Sequence, residues 1–186
     1  KIKEPAITAF LAYALDPYEN HGLSYNLLNK FESLFNLNPS NSNDNTVIEV
    51  LIEERLQNKN TGKRRDTDIL IFYKEIDIYN VVMIKRIICI ENKIRKSSST
   101  DLNQLNDQYH LLLDRLKTDF SETKPEDVEI CMLLLAPQNS DLINQSLDNV
   151  SLKSSKHQKS FLSWNEGRSL VKVFKKLLFH EGIANI

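Results

Sequence analysis

The 186-residue chain has little glycine and little cysteine, with four of the first and two of the second. No glycine loop able to cradle phosphate is present. The two cysteines, Cys89 and Cys131, each lie inside an apolar, strand-like run. They read as buried free thiols in a reducing compartment, not as a disulfide framework or a zinc pair. No apolar run reaches eighteen residues and no basic-then-apolar leader opens the chain. A membrane partner is therefore not expected, and the predicted location is cytoplasmic. The first residue is lysine and not methionine, which suggests trimming or a fragment. Charge of one sign is also lacking, since 24 Lys and Arg stand against 25 Asp and Glu for a net charge of −1. A nucleic-acid partner must then be held by local basic patches.

What is present is an ordinary globular composition, 41% hydrophobic and 26% charged, long enough for one domain with a substantial core. Two apolar runs that end in charge stand out, at 66–72 and 87–93. A strand alternates its side chains between two faces, so Asp66, Asp68, Leu70 and Phe72 are expected on one face and Ile69, Ile71 and Tyr73 on the other. In the second run Ile87, Cys89, Glu91 and Lys93 likewise point one way. An antiparallel pairing across 73–86 brings Asp68 near Glu91 and Lys93. Two carboxylates and an ammonium then meet at one end of a sheet. Hard oxygen ligands suit Mg²⁺ or Mn²⁺, and a neighbouring lysine can orient water or neutralise phosphate. The plain structural alternative is a surface salt-bridge group.

Asp68, 22 intervening residues and then Glu91-Asn92-Lys93 resembles the core of the PD-(D/E)xK nuclease superfamily. The flanking Arg65-Asp66-Thr67-Asp68-Ile69-Leu70-Ile71 resembles the R-x-D-I-x-I wording of one prokaryotic branch, with Asp66 where that branch tends to carry arginine. A second anchor is similar to the opening of the same branch: Glu4, Thr8, Leu11 and Leu15-Asp16-Pro17, followed by His21-Gly22. The resemblance implies that Asp68, Glu91, the Asn92 carbonyl and Glu4 hold the metal and that Lys93 positions water. A helix-end carboxylate favoured by the macrodipole is the other reading of Glu4. Gln104 and Tyr109 resemble a Gln-x-x-x-Tyr helix element, but their interval is five residues, and in a regular helix the two would not share a face. Asp66, Gln104 and Tyr109 are thus auxiliary candidates, with a helix cap and a core aromatic as the default readings of the last two.

Along the chain, helices are predicted at 4–15 and 23–35, a polar loop at 39–45 and a strand at 46–56. In that strand Ile48, Val50, Ile52 and Glu54 are expected on one face and Glu49 and Glu53 on the other, with Glu53 either a further acidic neighbour of the site or, as is commoner, a solvated edge-strand charge. A turn follows at 77–80, and Asp101 with Gln104 reads as a capping box for a helix with Leu105, Tyr109, Leu112 and Leu116 in its buried stripe. The run 128–135 reads as a strand buried on both faces. Residues 140–152 read as a short helix, Ser163 to Glu166 as another capping box, and Trp164 as a core side chain. Basic patches occur at Lys63-Arg64-Arg65, at Lys93, Arg95 and Lys96, at 153–159 and at 172–176. The first two flank the proposed site, which makes Lys63, Arg64, Arg65, Arg95 and Lys96 the nucleic-acid-binding candidates.

The expected fold is α/β, a restriction-endonuclease-like αβββαβ core with a mixed sheet flanked by helices. One domain over 1–186 is expected, with its core at about 4–135 and accessory C-terminal helices over 136–186. The resemblance implies metal-dependent hydrolysis of nucleic-acid phosphodiesters, DNA foremost, in a setting such as prokaryotic defence. A catalytically idle nucleic-acid-binding or scaffold module and an enzyme of small phosphorylated molecules are the alternatives. Self-association and a partner protein stay open.

Overall fold

The computed structural model describes residues 4–38, 45–93, 101–164 and 169–180. Two helices, α1 (Glu4–Leu15) and α2 (Tyr25–Ser33), precede three strands, β1 (Thr46–Gln57), β2 (Arg64–Ile76) and β3 (Val82–Asn92). Then come α3 (Gln104–Asp119), a 3₁₀ turn (Pro125–Asp127), β4 (Glu129–Ala136), α4 (Asp141–Asp148), β5 (His157–Ser163) and α5 (Leu170–His180). The strands form one five-stranded mixed sheet in the order β1-β2-β3-β4-β5. β2 runs antiparallel to both its neighbours, whereas β3, β4 and β5 run parallel. A hairpin can be tight, but a parallel return needs a crossover, which α3 supplies between β3 and β4 and α4 between β4 and β5. The expected α/β class with helices flanking a mixed sheet is what the chain adopts.

Two apolar layers cover the sheet, and period-two alternation assigns residues to them. Ile69, Ile71, Tyr73, Ile88, Ile90, Cys131 and Leu133 pack with α1, α2 and Leu170 of α5. Leu70, Phe72, Ile87, Cys89, Ile130 and Met132 pack under α3. β4 is buried along nearly its whole length, as a strand covered on both faces must be. Cys89 and Cys131 fall in opposite layers and are free thiols. Burial pushes both up, Cys131 to about 12.

Three local expectations are corrected. β5 joins the sheet inside the stretch read as accessory helices; as an edge strand it is only partly buried, and His157-Gln-Lys-Ser-Phe-Leu-Ser lacks the apolar run that marks a central one. Ser163 therefore ends a strand and donates to the Pro137 carbonyl at 2.9 Å, while Glu166, its partner in the expected capping box, lies outside the described residues. α3 begins at Gln104 after Asn103, while the Asp101 carboxylate accepts from the Asn103 backbone and from Arg65. The capping-box reading of Asp101 and Gln104 fails because both side chains are engaged elsewhere. In β1, Glu53 has a left-handed φ of 51° opposite Asp68, between the pairs Ile52/Ile69 and Glu54/Thr67. That single kink switches the alternation: Ile48 packs on the α1 side, but Leu56 packs under α3 and Glu54 accepts from Arg115 of α3 at 2.7 Å. A non-glycine residue there costs about 1–2 kcal/mol.

Buried polar ties hold the layers. Arg86 of β3 donates to Glu32 of α2 and to Glu129 of β4, each at 2.6 Å, and Glu32 has no solvent exposure. His157 joins β5 to α3: its Nε2 lies 3.0 Å from the Pro125 carbonyl and its Nδ1 2.7 Å from the Tyr109 hydroxyl. Because a carbonyl only accepts, Nε2 carries the proton and Nδ1 accepts from Tyr109, whose oxygen accepts in turn from the Lys153 N–H at 2.7 Å. Tyr109 is thus a core residue with a satisfied hydroxyl. Burial lowers the His157 pKa, against the opposing pull of the Pro125 carbonyl and Glu126. The folded protein therefore holds His157 neutral where the unfolded chain, at the ordinary value of 6.5, begins to take up a proton. Its contribution to stability is full above that value and is lost as pH falls toward the depressed folded pKa. Urea midpoints measured from pH 8 to pH 5 should fall on acidification, and His157→Asn should flatten the part of that fall that lies below about pH 6.5.

Candidate active site

The register of the central hairpin places the three charged residues. Leu70 pairs with Cys89 and Ile69 with Ile90, so the next positions outward bring Asp68 toward Glu91 at the carboxyl end of β3. Asp68 Oδ2 accepts the Asn92 backbone N–H at 2.6 Å, which closes the ladder where regular pairing ends. Glu91, on the α3 face, accepts from Lys93 Nζ at Oε1 at 2.6 Å and from Gln108 Nε2 at Oε2 at 2.8 Å. Lys93 Nζ also donates to Gln104 Oε1 at 3.3 Å. Glu91 is almost wholly buried, and Lys93 is about one-sixth exposed at its side chain. The structure thus brings Asp68, Glu91 and Lys93 to one place and adds Gln104 to them.

Asn92 points to the opposite face, as alternation requires. Its Nδ2 donates to Thr8 Oγ1 of α1 at 3.0 Å, and its Oδ1 accepts from Trp164 Nε1 at 3.2 Å. The side chain is therefore a buried staple that fixes the first turns of α1 against the end of β3. Trp164 packs against the α1-side core and puts its N–H to use there. Glu4 opens α1 four residues before Thr8; its side chain lies outside the described residues.

A cleft of ≈ 450 Å³ opens over this end, lined by Glu53, Arg55, Asp66, Thr67, Asp68, Glu91 and Gln104. Asp66 lines it, but its carboxylate is held by Arg55 Nε at 2.7 Å, a bond that keeps its pKa below the usual carboxylate value. A second cleft of ≈ 460 Å³ adjoins it and is lined by Arg64, Arg65, Asp66, Lys93, Asp101 and Gln104. Of the basic candidates, Lys63 donates to Asp107 at 2.6 Å, and Arg65 to Asp107 and Asp101 at 2.8 and 2.9 Å. Burial pushes the Asp107 carboxyl up, and Lys63 and Arg65 together outweigh it and hold it low. Arg64 lines the second cleft, and Arg95 and Lys96 lie outside the described residues. A larger concavity of ≈ 630 Å³ at the hairpin turn, lined by Tyr18, Tyr25, Val47 and Ile76 among others, has Asp77 as the one carboxylate among its described lining residues. Asp77 accepts from the Tyr79 and Val81 N–H groups at 2.8 and 2.9 Å.

The donor set suits a hard, hydrated cation. Among the described residues no three His, Cys, Asp or Glu side chains are grouped so that they could hold a metal ion by themselves. Two carboxylates beside a polar cleft match Mg²⁺, which keeps several waters and needs only one or two carboxylates, better than an all-protein cage for Ca²⁺ or zinc.

A family model described as the PD-(D/E)XK nuclease superfamily matches residues 1–180. The chain belongs to the PD-(D/E)XK nuclease superfamily. No curated protein and no solved structure matches it. At the cleft, β2 and the end of β3 bring Asp68 together with the Glu-x-Lys run of Glu91-Asn92-Lys93. Gln108 is the site contact that the motif reading passed over. The available signal was its spacing: Gln104 and Gln108 are four apart and share one helix face, whereas Gln104 and Tyr109 do not. Glu53 was noted for its charge, but its left-handed backbone was not readable from the residue type.

The Asn92 staple yields a direct test of how the site is held. Thr8→Val keeps the volume and removes the only acceptor that Nδ2 is shown to use, which leaves a buried donor unpaired. The expected loss is about 1–3 kcal/mol, read from the urea midpoint at constant slope.

Proposed function

We propose that the protein is a divalent-metal-dependent nuclease that hydrolyses nucleic-acid phosphodiester bonds, DNA foremost. The observation that carries this reading is the joint placement of Asp68, Glu91 and Lys93 at a polar cleft of a superfamily member. Asp68 and Glu91 are the anionic ligands for Mg²⁺ or Mn²⁺, the Asn92 carbonyl is a neutral one, and Glu4 is a fourth candidate. The anchoring of α1 through Thr8 supports Glu4, since it brings that end of the helix to the same end of the sheet. When bound, the cation polarises the phosphoryl oxygens and lowers the pKa of its own water. Lys93 stands beside the carboxylates with Gln104 as a second partner, and there it orients the attacking water or neutralises charge developing on phosphate. Arg64, at the adjoining cleft, contacts the backbone of the same strand. Lys63 and Arg65 contribute only where substrate phosphate competes with Asp107 and Asp101 for them. Arg95 and Lys96 complete the basic set. We read 1–186 as a single catalytic domain, and prokaryotic defence is the setting that the resemblance suggests.

Cleavage of plasmid, single-stranded DNA and RNA, with Mg²⁺, with Mn²⁺ and with EDTA, tests the reading and separates DNA from RNA. Activity is expected only with the cation, and full activity in EDTA overturns the proposal. Binding should weaken steeply with salt despite the near-neutral chain, because phosphate contacts release counterions. The residues divide by role. Lys93→Ala should keep metal and DNA binding yet lose cleavage by about 10²-fold or more, as when a positioned proton-transfer or charge-stabilising group is removed. Asp68→Ala and Glu91→Ala should lose metal binding and cleavage together. A folded Lys93→Ala protein that cleaves normally would reduce the trio to a structural salt bridge.

A further inference from the structure

Gln108 lies in the second turn of α3 and has no solvent exposure. Both protons of its amide are used, one on Glu91 Oε2 at 2.8 Å and one on the Asp66 backbone carbonyl at 2.9 Å. The orientation of the amide follows from its neighbours, since a carboxylate and a carbonyl can only accept and the NH₂ group must face them. The other end of the amide is different. Gln108 Oε1 is buried without a hydrogen-bond partner among the described residues, a loss that ordinarily costs about 1–3 kcal/mol and that a leucine would avoid. The fold tolerates that cost at a side chain that hydrogen-bonds to both site-bearing strands from α3. Asp66 is two residues from Asp68 on β2, and Glu91 is the last residue but one of β3, so one NH₂ group bridges the two strand ends that carry the carboxylates, in addition to the Asn92 N–H bond to Asp68. One turn earlier on the same face, Gln104 presents the opposite polarity, its carbonyl to the Lys93 ammonium.

We propose that Gln108 is a positioning residue for the metal-binding carboxylates, its buried amide holding Glu91 in the orientation that receives the cation and keeping Asp68 in register with it. The inference rests on the reading of Asp68 and Glu91 as metal ligands. A carboxylate already fixed by a neutral donor loses less freedom on binding, and the donor adds no positive charge to oppose the cation. Partners of this kind, one step behind the ligands, typically account for about 10–100-fold in metal affinity or activity.

Mn²⁺ binding, followed by calorimetry and by the free-ion EPR signal, tests this on the wild-type chain, Asp68→Ala, Gln108→Met and Gln108→Glu, with folding checked by circular dichroism. Gln108→Met keeps the length and removes the donor; its Mn²⁺ affinity should fall about 10–100-fold while thermal unfolding stays cooperative. Gln108→Glu is isosteric and places a second carboxyl against Glu91. The pair should then share a proton, which the cation must displace, so that Mn²⁺ affinity rises more steeply between about pH 5 and pH 8 than in the wild type. A residue that packs without contact to Glu91 would not produce that slope, and this variant decides the matter if Gln108→Met does not fold. Wild-type affinity in folded Gln108→Met, or a wild-type pH slope in Gln108→Glu, overturns the inference alone. A wild-type chain that binds no Mn²⁺, or an Asp68→Ala chain that binds it as tightly, removes the underlying metal-site reading and the inference with it.

Discussion

Everything at the site depends on the register between β2 and β3. Leu70 against Cys89 and Ile69 against Ile90 put the apolar sets of both strands into their proper layers and leave Asp68 next to the end of β3. A slip of one residue would turn every side chain of one strand to the other face, moving Glu91 toward α1 and Asn92 toward α3. The two buried layers oppose such a slip, and the 2.6 Å bond from the Asn92 N–H to Asp68 closes the pairing at the point where it matters. The hydrophobic sorting that folds the sheet is the same constraint that assembles the carboxylates.

The two faces then contribute differently. On the α1 side Asn92 is held by Thr8 and Trp164, which anchors elements from both ends of the described chain to one strand end. On the α3 side, glutamines 104 and 108 approach Lys93 and Glu91 with matched polarity, and Asp107, on the same helix, draws in Lys63 and Arg65. Buried polar groups are costly unless paired, and pairing them through three elements makes the local geometry stiff. The left-handed Glu53 opposite Asp68 belongs to the same region, where β1 changes the face it shows to α3. A near-neutral chain can still concentrate charge in this way, because many of its opposite charges neutralise one another at this end of the sheet.

Much of this was readable one residue after another. The existence of the central strands, the face shared by Leu70 and Phe72, the buried β4 and the meeting of Asp68 with Glu91 and Lys93 all follow from period-two alternation and from apolar runs ending in charge. These are local patterns, and the hydrophobic effect acts on them nearly independently of context. β5 was not readable, because an edge strand exposes much of its surface and can be as polar as a loop. The partners of Asp101, Asp66, Lys63 and Arg65 were not readable either, since an ion pair is chosen by which charges the finished fold brings within reach. Gln108 is the clearest case. Its residue type and helical spacing stand in the chain for anyone to see, but the burial that makes its amide matter comes from α3 closing over β2 and β3, and only long-range packing could supply that.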